Sequence, residues 1–133
     1  MEYTLQQRIE RALDLRAQGY NCSQCVAMAF DDVTALSTNH MALATAAFGG
    51  GIAGTRGTCG TVTGMSLVNG ARLNLPLSEK KAIYADTRIL IESFVTSNGS
   101  VICAELRKPG KKTCAELIIE AVTLMHNHCS DNA

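Results

Sequence analysis

The apolar residues of this chain recur at the three- to four-residue spacing that is typical of α-helices. The apolar positions of the first segment, residues 2–18, are Leu5, Ile9, Ala12, Leu13 and Leu15. Gly19 follows this segment and is a suitable helix stop. No stretch alternates apolar and β-branched residues with the period of two that a half-buried strand requires. The pattern therefore predicts an all-α protein.

Polar caps, glycines and prolines divide the rest of the chain into further helical segments. The predicted segments are 22 to about 36, 41–47, 59–73, 78–98, a short turn at 103–106, and 114 to about 126. Asn21 is a natural N-cap for the second helix, and Thr113 with Glu116 forms a capping-box pattern before the last one. We expect one domain, residues 1–133, built as a compact bundle of about five to six helices.

A glycine-rich run from Phe48 to Gly64 precedes and enters the fourth predicted helix, and it carries seven glycines and Cys59. Glycine adopts positive φ and lets the backbone approach a partner closely, so such a run is usually built around something. The glycines expected to lie against a bound cofactor are Gly49, Gly50, Gly51, Gly57 and Gly60. Gly64 and Gly70 each cost a helix about 1 kcal/mol relative to alanine, so we expect them to allow close helix packing or cofactor contact.

Five of the six cysteines fall at or just inside a predicted helix N-terminus. They are Cys22, Cys25, Cys59, Cys103 and Cys114. Free N–H groups and the helix dipole lower thiol pKa values at such positions. For any single cysteine, packing in the core as a small apolar side chain is about as good an explanation as a functional role. For four or five placed alike, shared chemistry explains the pattern better, and we expect the sixth, Cys129, to be incidental.

Composition and charge narrow the function classes. Twelve basic and twelve acidic residues cancel, and the pI is about 6.8, which argues against a nucleic-acid or anionic membrane surface. We find no secretory signal and no run of eighteen apolar residues, so we expect a cytoplasmic protein, in which cysteines bind metals or act in redox chemistry rather than forming structural disulfides. His126 and His128 are expected in a solvated tail, and His40 at the surface.

The order of these motifs resembles the small redox-active proteins named for a C…GCAxxG…C…C pattern. The matching stretches are Asn21-Cys22, Phe48–Ile52, Thr58–Gly64, Cys103–Leu106 and Cys114. The resemblance extends from about Ala12 to Val122. Thr58 and Gly60 replace the residues that flank the second cysteine of that pattern, Gly64 falls one position late, and Cys25 and Cys129 are additional.

The resemblance implies a helical bundle and a redox role, with Cys22, Cys59, Cys103 and Cys114 as the functional sulfurs. Related domains occur with split-Soret cytochromes, for which an iron–sulfur cluster has been proposed. An iron–sulfur site that uses these four cysteines as metal ligands for electron transfer is therefore the favoured hypothesis, because each helix end contributes one ligand.

Three alternatives remain open at this point. The first is a thiol–disulfide oxidoreductase that uses a Cys22/Cys25 or Cys22/Cys59 dithiol. The second is a zinc-stabilised helical interaction module, and the third is a helical domain whose cysteines only pack. The sequence does not identify a redox partner, and its small residues are compatible with a homodimer although no heptad seam indicates one.

Overall fold

The computed structural model describes residues 1–131, which form seven α-helices and a short 3₁₀ helix. The α-helices are α1 (Leu5–Ala17), α2 (Cys22–Met28), α3 (Thr38–Ala44), α4 (Gly60–Leu73), α5 (Lys80–Asn98), α6 (Cys103–Leu106) and α7 (Cys114–Asp131). The described residues contain no β-strand, although Thr58 and Ile102 form an isolated antiparallel bridge. The prediction of an all-α fold is confirmed, with one helix more than the upper number expected.

Helix α2 lies at the centre of the arrangement, where it contacts α1, α3, α4 and α7. Its contact with α4 is especially close because two glycines of α4 face it. A Cβ atom at Gly64 would lie 2.6 Å from the carbonyl oxygen of Ser23, and one at Gly60 would lie 3.1 Å from the Ser23 amide nitrogen. The expectation that Gly64 allows close packing is confirmed. Gly70 does not serve this purpose, because no neighbouring atom lies within 4 Å of its Cβ position.

Helix α2 ends at Met28, well before the predicted end near Leu36. Its last carbonyl groups are bound by arginines of α1. Arg11 donates a hydrogen bond to the Met28 carbonyl at 3.1 Å, and Arg8 donates one to the Ala29 carbonyl at 2.5 Å. These side chains occupy carbonyl oxygens that the backbone N–H groups of a further helical turn would otherwise bind, so the helix ends here.

The guanidinium of Arg8 is completely buried and joins α1 to α7 and to the segment after α2. It donates two hydrogen bonds to the Asp32 carboxylate, at 2.6 and 2.9 Å, and one to His126 Nδ1 at 3.2 Å. It also stacks on the Phe30 ring, 4.2 Å from the centroid. Burial alone raises the pKa of Asp32, but hydrogen bonds from Arg8 and two backbone N–H groups outweigh it and lower the pKa to about 2. The buried cation is therefore matched by a charged carboxylate at neutral pH.

The C-terminal segment is helical through Asp131, whereas we expected the last helix to end near His126 and a solvated tail to follow. This expectation is wrong. His128 and Cys129 are buried, and His128 Nε2 lies 2.9 Å from the Asp86 carboxylate of α5. The reason is that the buried face of α7 continues to Cys129. Packing of these last residues against the core stabilises the final helical turns.

Other helix ends differ from the predicted ones by a few residues. Helix α3 begins at Thr38 because the Ser37 hydroxyl accepts a hydrogen bond from the His40 backbone N–H. Helix α5 begins at Lys80, after a 3₁₀ helix at Leu77–Glu79. No helix among residues 1–131 is both long enough and apolar enough to cross a membrane.

The two helical glycines allow a matched test of the contact between α2 and α4. We expect Gly64→Ala to lower the free energy of unfolding by about 1–3 kcal/mol, because its Cβ would meet rigid backbone of α2. Gly70→Ala is the control, and we expect it to raise that free energy by about 0.5–1 kcal/mol, because alanine favours the helix and meets no neighbour. Urea unfolding followed by circular dichroism measures both. Equal effects of the two substitutions would contradict this account of the contact.

Candidate functional site

Four cysteines from four separate segments line one small cavity. They are Cys22, Cys59, Cys103 and Cys114. Cys59 and Cys103 are buried, whereas Cys22 and Cys114 are partly exposed. Leu106 and Leu117 complete the wall with Gly50, Gly51, Gly60, Thr61 and Arg107. The structure therefore brings together the four sulfurs that the resemblance implied.

Cys22 is placed by the capping of α2. The Asn21 side chain accepts a hydrogen bond from the Gln24 backbone N–H at 2.8 Å, and the Gln24 side chain accepts one from the Asn21 N–H at 3.0 Å. Asn21 also donates to the Ala46 carbonyl at 3.1 Å. This fixes the start of α2 against the segment before the glycine run. Gly49 is required there, because a Cβ at this position would lie 2.7 Å from the Asn21 Cβ.

Residues 50–56 form a tight loop in which most backbone φ angles are positive. These residues are Gly50, Gly51, Ile52, Ala53, Gly54 and Arg56. The Gly57 N–H donates to the Gly51 carbonyl at 2.9 Å, and a Cβ at Gly51 would lie 2.6 Å from the Gly57 nitrogen. Gly50, Gly51 and Gly60 line the cavity, whereas Gly49 and Gly57 do not. Gly49 and Gly57 therefore shape the loop, whereas Gly50, Gly51 and Gly60 bring the backbone close to the cavity cysteines.

Backbone pairing places Cys59 beside Cys103. The Cys59 N–H donates to the Val101 carbonyl at 2.7 Å, and the Cys103 N–H donates to the Gly57 carbonyl at 2.6 Å. The two hydrogen bonds hold the end of the glycine run against the segment before α6. Cys59 is the N-cap residue of α4 and Cys103 is the first residue of α6, so each lies at a helix N-terminus, and both line the cavity.

Cys114 is the first residue of α7, behind the predicted capping box. The Glu116 N–H donates to the Thr113 hydroxyl at 3.1 Å, and the Thr113 N–H donates to the Glu116 carboxylate at 3.0 Å. From this position Cys114 interacts electrostatically with Cys22. The two partly exposed sulfurs are therefore neighbours in the cavity wall.

The pKa of Cys22 is raised, whereas its position at a helix N-terminus was expected to lower it. Burial raises it, electrostatic interactions with Cys114 and Cys59 raise it further, and it reaches about 12. Burial likewise raises the pKa of Cys25 to about 11, although Arg16 acts in the opposite direction. At both positions desolvation of a thiolate outweighs the helix dipole. Cys22 therefore keeps its proton at neutral pH unless a positive group enters the cavity.

Three polar side chains contact the sulfurs, and none of the three was predicted as a site residue from the sequence. The Arg107 guanidinium donates a hydrogen bond to Cys114, and Arg56 lies 3.9 Å from the Cys103 sulfur. The Thr61 hydroxyl lies 3.1 Å from the Cys59 sulfur. One signal was present in the sequence, since Arg56 is the single charged residue of the glycine-rich run.

The remaining candidate residues lie outside this cavity. Cys25 is completely buried in the core, and its sulfur lies 3.6 Å from the Tyr20 carbonyl. Cys129, His126 and His128 lie near the C-terminal end of α7, where His126 accepts a hydrogen bond from Arg8 and His128 lies against Asp86. Cys25 was a member of one predicted dithiol pair, but it does not line the cavity with Cys22.

The side chains that line the cavity can be compared with those that bind an iron–sulfur cluster in proteins. Four cysteine sulfurs with cationic and hydroxyl neighbours match the ligands of an iron–sulfur cluster. Within residues 1–131, no three histidine, cysteine or carboxylate side chains are placed to hold one metal ion. The cavity volume is about 20 Å³, roughly the space that one water molecule needs. The residues therefore fit a cluster by chemistry, and the cavity has to enlarge to admit one.

The sequence profile of one protein family matches residues 20–128 of this chain. That family is described as "Putative redox-active protein (C_GCAxxG_C_C)". The match covers all four cavity cysteines and the glycine-rich run. No curated protein and no solved structure matches the chain.

The raised pKa of Cys22 predicts slow alkylation of this thiol in metal-free protein. With a pKa of about 12 instead of 9.0, the thiolate fraction near pH 8 falls about a thousandfold. We expect iodoacetamide to label Cys22 in folded protein about a thousandfold more slowly than in urea, and the rate to rise with pH up to about 12. Mass spectrometry of the Cys22 peptide measures this rate. Equal rates in folded and unfolded protein at pH 8 would contradict the assignment.

Proposed function

Because this chain belongs to the C_GCAxxG_C_C family of redox-active proteins, we propose that Cys22, Cys59, Cys103 and Cys114 act as one redox site. The observation that supports this proposal is their convergence on a single cavity. Their positions in the chain extend from α2 to α7, so only the tertiary fold brings them together. Cysteines that only fill the core need not share a cavity wall, and Cys25 is an example in the same protein.

Within this proposal the four sulfurs hold an iron–sulfur cluster, and the protein is an electron carrier. When bound, such a cluster supplies reversible one-electron transfer. The residues of the chain would hold it through the four cysteines. Arg56 and Arg107 would offset its negative charge, and the Thr61 hydroxyl would interact with the Cys59 sulfur, as each already lies against a sulfur. Leu106 and Leu117 would limit contact with water.

Serine substitution tests this assignment with controls from the same chain. After anaerobic reconstitution with iron and sulfide, we expect the wild type to contain iron and acid-labile sulfide. The cavity variants Cys22→Ser, Cys59→Ser, Cys103→Ser and Cys114→Ser should retain roughly tenfold less, because each lacks one ligand. Cys25→Ser and Cys129→Ser should load like the wild type, because neither residue lines the cavity. A wild type that takes up no iron, or takes up zinc instead, would contradict the cluster assignment.

A second candidate function is thiol–disulfide exchange between Cys22 and Cys114. It is favoured by the electrostatic interaction between these two sulfurs, which line the same cavity and are both partly exposed. The Cys114 thiolate would attack a substrate disulfide and release one thiolate. Cys22 would then lose its proton and attack the Cys114 sulfur, forming the Cys22–Cys114 bond and releasing the second thiolate. The electrostatic interaction with Cys114 helps raise the pKa of Cys22. The first step converts Cys114 to a mixed disulfide, which removes this interaction and makes deprotonation of Cys22 easier in the second step.

Peptide mapping tests the second candidate. Metal-free protein is oxidised with glutathione disulfide and digested without reduction. We expect a single linked peptide pair, Cys22 with Cys114, because these two line the same cavity and are its partly exposed cysteines. The Cys25→Ser variant should give the same pair at the same rate. A Cys22–Cys25 or Cys22–Cys59 bond, or no bond, would contradict the assignment.

A further inference from the structure

A basic cleft lies directly beside Cys114, outside the cavity. Its volume is about 360 Å³. Five of its nine lining residues are basic and none is acidic. The basic ones are Arg16, Arg107, Lys108, Lys111 and Lys112. This concentration of charge is local, because the protein as a whole has a net charge of zero.

Acidic neighbours neutralise only part of this basic cleft. Lys112 pairs with Glu120 at 2.7 Å, and Glu105 lies with Lys108 and Lys111 around an adjoining recess. Among the described residues, Arg16, Lys108 and Lys111 form no ion pair within 4.0 Å. All three are exposed. The cleft therefore presents a positive surface to the solvent.

The basic cleft and the cysteine cavity share two residues, Arg107 and Cys114. Arg107 contacts the Cys114 sulfur, and Cys114 is more exposed than Cys59 and Cys103. A molecule that occupies the cleft would therefore lie against a partly exposed wall of the cavity. This is the position that a redox partner needs, because electron transfer and thiol exchange both require close approach.

The composition of the cleft favours one class of occupant. Its charges are on exposed arginine and lysine side chains, and none of its lining residues is buried, so it lacks the enclosed polar groups of a small-ligand site. None of its lining residues is aromatic, so no stacking surface for nucleic acid bases is present. Exposed charge of one sign beside a redox centre is suited to steering a protein of opposite charge.

We propose that the basic cleft is the docking surface for an acidic electron-transfer protein. The redox part of this proposal rests on the proposed function, whereas the docking part does not. The partner places carboxylates on Arg16, Lys108 and Lys111 and brings its own redox centre beside Cys114. Electrostatic steering raises association rates by about 10- to 1000-fold and is screened by salt.

Binding is tested with flavodoxin as the acidic probe and metal-free, ¹⁵N-labelled protein at low ionic strength. We expect amide shifts confined to residues 107–114 and Arg16, and their loss in 0.5 M salt. The Lys108→Glu/Lys111→Glu variant should bind at least about tenfold more weakly. Lys80→Glu/Lys81→Glu is the control, because it makes the same change in net charge at the start of α5, and it should bind like the wild type.

Three results would overturn the docking proposal. They are the absence of flavodoxin binding, shifts outside the cleft, and equal weakening by the two charge variants. Orthophosphate is titrated separately, and if it alone gave the same shifts at micromolar concentration, the cleft would be a small-anion site instead. Basic cytochrome c is the probe of opposite charge and should not shift these amides.

Electron exchange with flavodoxin is measured on the reconstituted protein in parallel. If the cleft variant binds iron normally but exchanges electrons about tenfold more slowly than Lys80→Glu/Lys81→Glu, docking at the cleft is supported. Equal rates with normal iron content overturn the docking proposal alone. Loss of iron binding in the wild type contradicts the proposed function, and the amide shifts of metal-free protein then still decide whether the cleft binds an acidic protein.

Discussion

The close contact between the α2 and α4 backbones is the constraint on which the rest of the structure depends. Helix axes usually lie 8–10 Å apart because side chains separate them. Gly60 and Gly64 remove those side chains where α4 faces Ser23. As a result Cys22, at the start of α2, lies beside Cys59, which precedes α4. The Cys22 Cβ would lie only 3.3 Å from a Cβ at Gly60. Without this contact the cavity would lose one of its walls.

Negative charge on the four sulfurs is unfavourable in this cavity unless a bound group offsets it or a bond removes it. Burial and the neighbouring sulfurs both disfavour a thiolate at Cys22, which accordingly holds its proton. Arg56 and Arg107 at the edges offset only part of such charge. Iron ions would bring positive charge among the sulfurs, and a disulfide would remove the charge altogether. Both proposed forms of redox chemistry therefore relieve the same unfavourable charge.

Much of the fold was predictable because its determinants are local. Asn21 and Thr113 cap helices through hydrogen bonds to residues three positions later, and such patterns are visible in a sequence. The end of α2 was not predictable, since it is set by Arg8 and Arg11 of another helix. The same holds for the burial of His128, which depends on Asp86 in α5.

The candidate site divides in the same way. The cysteine positions and the family resemblance indicated which four sulfurs to consider, and the structure places them around one cavity. Cys25 shows the limit of spacing arguments, because residues three apart on a helix were expected to share a face, yet its sulfur lies near the Tyr20 carbonyl. Arg107 contacts Cys114 only because residues 107–113 fold back on themselves, and no periodicity predicts such a loop.

Because the four sulfurs come from separate segments, they share a cavity only in the native chain. Any group that all four hold therefore binds the folded state and not the unfolded one, and its binding free energy is added to the free energy of unfolding. At a hundred times its dissociation constant, such a group would contribute about 2.7 kcal/mol. Occupancy of the cavity and resistance to thermal unfolding are thus thermodynamically linked in this protein, and a melting temperature can report on its cofactor content.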